Sequence, residues 1–188
     1  MHFEIIPAQK EHALASAELI LQAMEDLIYF YIGKEDKVKA VAFLQQQFLM
    51  EESLYSYSNT LIAIYDKKIV GVLIAYDSKK HQRLQQKLNQ YLKENYAFHN
   101  RLTPETEAEE FYLDALSVDP TFRGQKIGSQ LIQFAEKLAL EKKLPHIGLL
   151  VDVENPKAKR LYERLDFKAV NSVNLGRHEY EHLQKKLS

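Results

Sequence analysis

Cysteine is absent from this chain, which excludes disulfides, thiol catalysis and thiolate metal sites. That absence fits a reducing compartment, and a cytoplasmic location is expected. An excess of one charge sign is also missing. Lys and Arg total 25 against 26 Asp and Glu, so the formal charge of −1 makes no electrostatic case for nucleic acid or an anionic membrane as partner. No uninterrupted apolar stretch approaches the ~18 residues of a membrane-spanning helix. Phe3-Glu4-Ile5-Ile6 alternates like a strand, with no basic start and apolar run, so a signal peptide is not expected. Internal repeats and low-complexity tracts are lacking, and no domain boundary is evident. What is present is 46% hydrophobic and 27% charged, the balance of a globular chain, and 188 residues suffice for one domain, 1–188, with a normal core.

The hydrophobic pattern predicts a mixed α/β order. A strand near 3–6 leads through Pro7 into a long helix with Leu14, Ala17, Leu21, Met24, Leu27 and Ile28 on one face, stopped at Gly33. A second helix is expected over 36–51, carrying Val38, Val41, Ala42 and Leu49. Residues 60–65 and 69–76 read as a hairpin turning at Asp66-Lys67-Lys68. A strand from near 110, a helix ending near 143, a strand at 146–152, a short helix at 156–164 and strands near 167–170 and 174–184 follow. Residues 79–109 are the irregular part. They hold a helix through Leu84, Leu88, Tyr91 and Leu92 and lead to an acidic run, Glu105, Glu107, Glu109 and Glu110. Links this long are uncommon without structure or function of their own. The segment reads either as a solvated surface insertion or as a wall of a ligand pocket whose carboxylates attract a cation.

The most informative stretch is 112–128. Leu113, Ala115, Leu116 and Val118 form an apolar strand, and Asp119-Pro120 stops it, because proline donates no ladder hydrogen bond. Arg123-Gly124-Gln125-Lys126-Ile127-Gly128 then turns into an amphipathic helix with Ile127, Leu131, Ile132, Ala135, Leu138 and Ala139 at helical spacing. A basic, glycine-flanked turn at a helix start offers free backbone N–H groups and the positive end of the helix dipole to a phosphate. Lys126 is read as already belonging to the first helical turn, where lysine carries no strain. A second block, Val151 to Phe167, contains Asn155-Pro156, an N-cap followed by proline at the first helical position, and then Tyr162.

Together these two blocks resemble the signature of the GNAT family of N-acetyltransferases over about residues 110–170. Arg123, Gly124 and Gly128 match the turn that cradles the coenzyme A pyrophosphate in that family; Lys126 stands where a middle glycine is usual, and Asp166 replaces the glycine before Phe167. The resemblance implies a mostly antiparallel sheet with flanking helices, in which strands 113–118 and 146–152 are parallel neighbours splayed apart. It places the pantetheine contacts on the backbone of Leu116 and Val118, and further cofactor contacts on Arg123, Gly124, Lys126, Gly128, Ser129, Asn155 and Tyr162. Tyr162 is implied to protonate the departing sulfur.

The activity implied is transfer of an acetyl group from acetyl-CoA to a primary amine by direct attack, with no metal. A lysine-like amine with pKa near 10.4 is only ~0.04% neutral at pH 7, so something must accept its proton. Asp114 is the first candidate; Glu109, Glu110 and a water chain over Tyr112 are alternatives. The acceptor is read as a cationic small amine or basic peptide, and the assembly as a monomer or homodimer. A non-catalytic acyl-CoA sensor of the same fold is the alternative function, and an interaction module without cofactor a third. His178 and His182, four residues apart, show no third ligand nearby and read as part of a solvated strand.

Overall fold

The computed structural model describes residues 3–175 and 178–188. Among these residues seven strands form one sheet: β1 (Glu4–Pro7), β2 (Thr60–Tyr65), β3 (Lys68–Asp77), β4 (Glu110–Val118), β5 (His146–Asp152), β6 (Lys168–Leu175) and β7 (His178–Lys186), in the order β1-β2-β3-β4-β5-β7-β6. Every neighbouring pair is antiparallel except β4 and β5. The helices are α1 (Ala13–Ile32), α2 (Lys37–Leu49), α3 (His81–Tyr96), α4 (Ile127–Glu141) and α5 (Pro156–Glu163). Among the described residues no helix is long and apolar enough to cross a membrane.

Strand alternation gives the sheet two apolar faces and so two cores. Ile62, Val72, Ile74, Tyr76 and Tyr112 pack against α1, α2 and α3. Leu61, Ala63, Leu73, Ala75, Phe111 and Leu113 pack against α4. Gly33 ends α1 in the left-handed conformation, φ 68°, as its place in the sequence predicts. The hairpin turn is tighter than the three residues expected. Asp66 and Lys67 take φ of 47° and 62°, and Lys68 already pairs with Tyr65. The last two strands also differ from expectation. Residues 171–173, expected as a break, lie inside β6, which bends instead at a register shift between Ala169 and Asn171.

Segment 79–109 is not simply a solvated insertion. Leu84, Leu88 and Leu92 of α3 are buried in the core under α1 and α2. The four glutamates of the acidic run do not form one patch either. Glu105 lines the central cleft, Glu107 and Glu109 are exposed, and Glu110 is fully buried.

Candidate functional site

The site begins where β4 and β5 part. Their parallel pairing runs only from Glu110–His146 to Leu113–Leu149, although β4 continues to Val118 and β5 to Asp152. At the same point β4 carries a β-bulge: Ala115 pairs with Ile74 and Leu113 with Ala75, so Asp114 stands outside the ladder. A bulge inverts the alternation that follows it and re-aims one side chain. Ala115 therefore packs with Tyr112 on the α1 side, while Leu116 and Val118 pack on the α4 side.

Beyond the split, the Asp119 N–H bonds the Val70 carbonyl, so antiparallel alternation turns Ser117 toward β3 and leaves the backbone groups of Leu116 and Val118 facing the gap. The Val118 carbonyl is partly satisfied within the chain. Gln22 Nε2 of α1 donates to it at 3.1 Å and to Ser117 Oγ at 2.8 Å, and Arg123 Nε donates to it at 3.4 Å. Two residues beyond Gln22, α1 is interrupted at Met24, φ −142°, where it passes the cleft. Nothing in the sequence marks Gln22, because its partners lie about a hundred residues away.

The gap opens into a cleft of about 1560 Å³. Arg123, Gly124, Lys126, Gly128 and Ser129 line it from the start of α4, and Leu116, Val118, Asn155 and Tyr162 line it from β4 and α5. No side chain caps the N-terminus of α4, which leaves its first amides available to an anion. Lys126 corrects the sequence expectation. It is the residue before the helix, left-handed at φ 63°, rather than part of a regular first turn. Lys126→Gly is accordingly expected to raise stability by roughly 0.5–1 kcal/mol in a thermal melt, since glycine has no Cβ penalty there. Gly124 is left-handed too, φ 78°, with open space about it. A Cβ at Gly128 meets Leu116, Leu161 and Val118 only at ordinary contact distances of 3.6–4.0 Å, so space rather than backbone conformation matters there.

Asn155 accepts a hydrogen bond from Ala158 N at 3.1 Å and caps α5. Tyr162, one turn on, packs against Phe167 at a ring separation of 6.0 Å. Burial alone pushes its pKa up to about 12, so the hydroxyl keeps its proton.

On the opposite, α1 side of the split lies Asp114. Tyr76 Oη donates to its Oδ2 at 2.6 Å, and Tyr112 Oη donates to Glu105 Oε2 at 3.0 Å. Burial raises both carboxyls, and the Asp114 charge raises Glu105 further. Tyr180 of β7 faces the same space; burial lifts its pKa, followed by the charges of Asp152, Glu105 and Asp26. The sequence reading named Asp114, Glu105 and Tyr112 but missed Tyr76, the partner of Asp114, which alternation alone assigns to core.

Two other expectations are corrected here. Glu110 lies sealed under Gln184 and His182, with Gln184 Nε2 at 2.8 Å and His182 Nε2 at 3.0 Å from its Oε2, so it does not reach the cleft. Glu109 is exposed with φ 57°. His182 is thus buried rather than solvated, and His178 is half-buried, its Nδ1 3.1 Å from Asp152 Oδ2. Asp152, Glu154 and His178 do gather, with donor atoms within 4.8 Å of one another, a grouping that the sequence did not suggest.

Among curated proteins the chain is similar to the acetyltransferase ECA0875 of Pectobacterium atrosepticum, at 36% identity over 62 residues, 33% of this chain. The match spans less than half of that relative, 44% of its length. Among solved structures it is similar to an acetyltransferase crystal structure at 27% identity and TM-score 0.79, with 98% of this chain and 100% of the other covered. It also shares its fold with a PaiA N-acetyltransferase from Thermoplasma acidophilum solved with coenzyme A, at 18% identity, TM-score 0.63 and 99% coverage of both chains. The model of the acetyltransferase (GNAT) family matches residues 21–167, and the chain belongs to that family.

Proposed function

We propose that this protein is an N-acetyltransferase moving an acetyl group from acetyl-CoA to a primary amine of a cationic acceptor, by direct attack in a ternary complex. The observation that carries this reading is that Tyr162 and Asp114 reach one cleft from opposite faces of the sheet, at the point where β4 and β5 part. Coenzyme A supplies the activated acetyl thioester. The free amides at the start of α4, with Arg123 and Lys126, are suited to its pyrophosphate, and the gap-facing backbone of Leu116 and Val118 to the amides of its arm.

Asp114 accepts one proton from the acceptor ammonium, which frees the nitrogen lone pair to attack the thioester carbonyl; as the C–S bond breaks, the adduct's surplus N–H proton goes to the departing sulfur. Tyr162 donates toward the sulfur as negative charge develops there. Against a thiol of pKa about 8.5, a tyrosine pushed to about 12 makes full proton transfer uphill by roughly 5 kcal/mol in water. Its role is therefore hydrogen-bond donation in the transition state, helped where desolvation also raises the thiolate. The preference for a cation follows from the carboxyls Asp26, Asp114 and Asp152, which line the cleft near Tyr180; Glu105 joins them only at alkaline pH, because burial and the Asp114 charge hold it protonated below that.

The test is a turnover screen with acetyl-CoA against polyamines, amino acids, aminoglycosides and protein N-termini. Cationic amines are expected to react and neutral ones to react poorly. On the best acceptor, Tyr162→Phe should lower kcat at least about tenfold, or ~1.4 kcal/mol, with coenzyme A affinity unchanged. At alkaline pH, where Glu105 is ionised, Glu105→Gln should raise the acceptor KM and leave the coenzyme A KM alone. Tight coenzyme A binding with no turnover of any acceptor would replace the enzyme by an acyl-CoA sensor.

A further inference from the structure

We infer that His81, the first residue of α3, is a positioning residue for the base: through Tyr76 it holds one oxygen of Asp114 and leaves the other to the cleft. This rests on the reading of Asp114 as base. A bulged residue has lost its ladder partner, so the direction of Asp114 is set by what its side chain bonds. Tyr76 has a single hydroxyl proton, and it goes to Asp114 Oδ2 at 2.6 Å. The Tyr76 oxygen must then accept the 3.1 Å bond from His81, which puts the imidazole proton on Nδ1. His81 Nε2 is left a bare acceptor, buried and without a partner among the described residues. The imidazole stacks on Tyr76 at 15° and meets the edge of Tyr112 at 72°, so its orientation is fixed by packing.

Burial lowers the His81 pKa to about 4, against an opposing pull from Glu110, so the ring is neutral at working pH and acts as a donor. Other groups face this chain from every side: Tyr31 of α1, Tyr55 before β2, Glu105 and Tyr112 beside Asp114, Glu110 at the start of β4, and Tyr180 and His182 of β7. They are unchanged in the variants that test the link. Donation to a carboxylate favours its charged form and lowers its pKa. Losing the donor therefore raises the Asp114 pKa and moves the acid limb of activity to higher pH.

The experiment titrates the Asp114 carboxyl by carbon NMR and measures kcat/KM against pH for the same proteins. Tyr76→Phe is expected to move the Asp114 midpoint upward by about half a unit to one unit. His81→Phe, which keeps a ring but has no donor, should move it in the same direction by less. His81→Asn, whose amide N–H takes the place of Nδ1–H, should restore the wild-type midpoint. An unmoved midpoint in folded His81→Phe, or equal midpoints in His81→Phe and His81→Asn, would overturn the inference. Because NMR reads the carboxyl directly, a fully active Asp114→Asn protein would remove the base role while leaving the hydrogen-bond result to stand or fall separately.

Discussion

Asp114→Asn is expected to lower kcat/KM by about 10²–10⁴-fold near neutral pH, the usual contribution of a general base. Asparagine keeps the size of the side chain and can still accept the Tyr76 hydroxyl, so the geometry survives and the proton acceptor does not. The loss should narrow as pH rises. An amine of pKa about 10.4 is ~0.04% neutral at pH 7 and roughly 4% neutral at pH 9, so the free amine itself replaces much of what the base supplied. Wild-type activity for this variant at pH 7, with the loss appearing instead in Glu105→Gln, would move the base role to the second carboxyl.

Gly148→Ala carries the largest expected effect on stability. A Cβ built at Gly148 falls 2.0 Å from Glu110 Oε2, 2.8 Å from its Cδ and 3.0 Å from His182 Nε2. The Glu110 carboxylate has no room to retreat. It is fully buried, accepts from Glu107 N and Gln184 Nε2, each at 2.8 Å, and lies 3.0 Å from His182 Nε2. Moving it breaks buried hydrogen bonds, so the cost should reach about 3 kcal/mol or more, combining overpacking with polar groups left unpaired. For a chain of this size that lowers Tm by roughly 6–12 °C. In a Glu110→Ala background the same substitution should cost much less, because the clashing group is gone. A melt of Gly148→Ala within a degree or two of wild type would show that the carboxylate has another place to go. The cluster joins β4, β5 and β7 at the closed end of the split, where Tyr112 still pairs with Gly148 and Gln184 with Gly148 from the other side. A loosened cluster should therefore disturb the cleft as well as the fold.

Helix and strand periodicity was sufficient for most elements, because burying one face of a helix or strand requires apolar residues at fixed intervals. The turn proposed to hold phosphate was legible for a similar reason. Strand, proline stop, glycine-flanked basic turn and helix start are consecutive, so backbone chemistry within a few residues determines the arrangement. The adjacent apolar pair Ala115-Leu116 follows the bulge directly, a break in alternation that was read simply as apolar strand. Sequence alone does not say which side of the sheet each residue then faces.

The tertiary structure decided what depends on distant partners. Glu105 and Glu110 look equivalent in one acidic run, yet one enters the cleft beside Tyr112 while the other is sealed by residues 72 and 74 positions away. His182 looks like an exposed strand residue and is buried by that same pairing. Lys126 is left-handed although lysine gains nothing from that conformation; the turn into α4 imposes it. Local pattern thus determined the elements and the glycine-flanked turn into α4, and the family resemblance drew attention to Tyr162 and Asp114. Which carboxyl meets the cleft, and what orients it, was set by the packing of α3 and β7 against the split sheet, because charge burial and hydrogen-bond direction are properties of the assembled neighbourhood rather than of the chain segment.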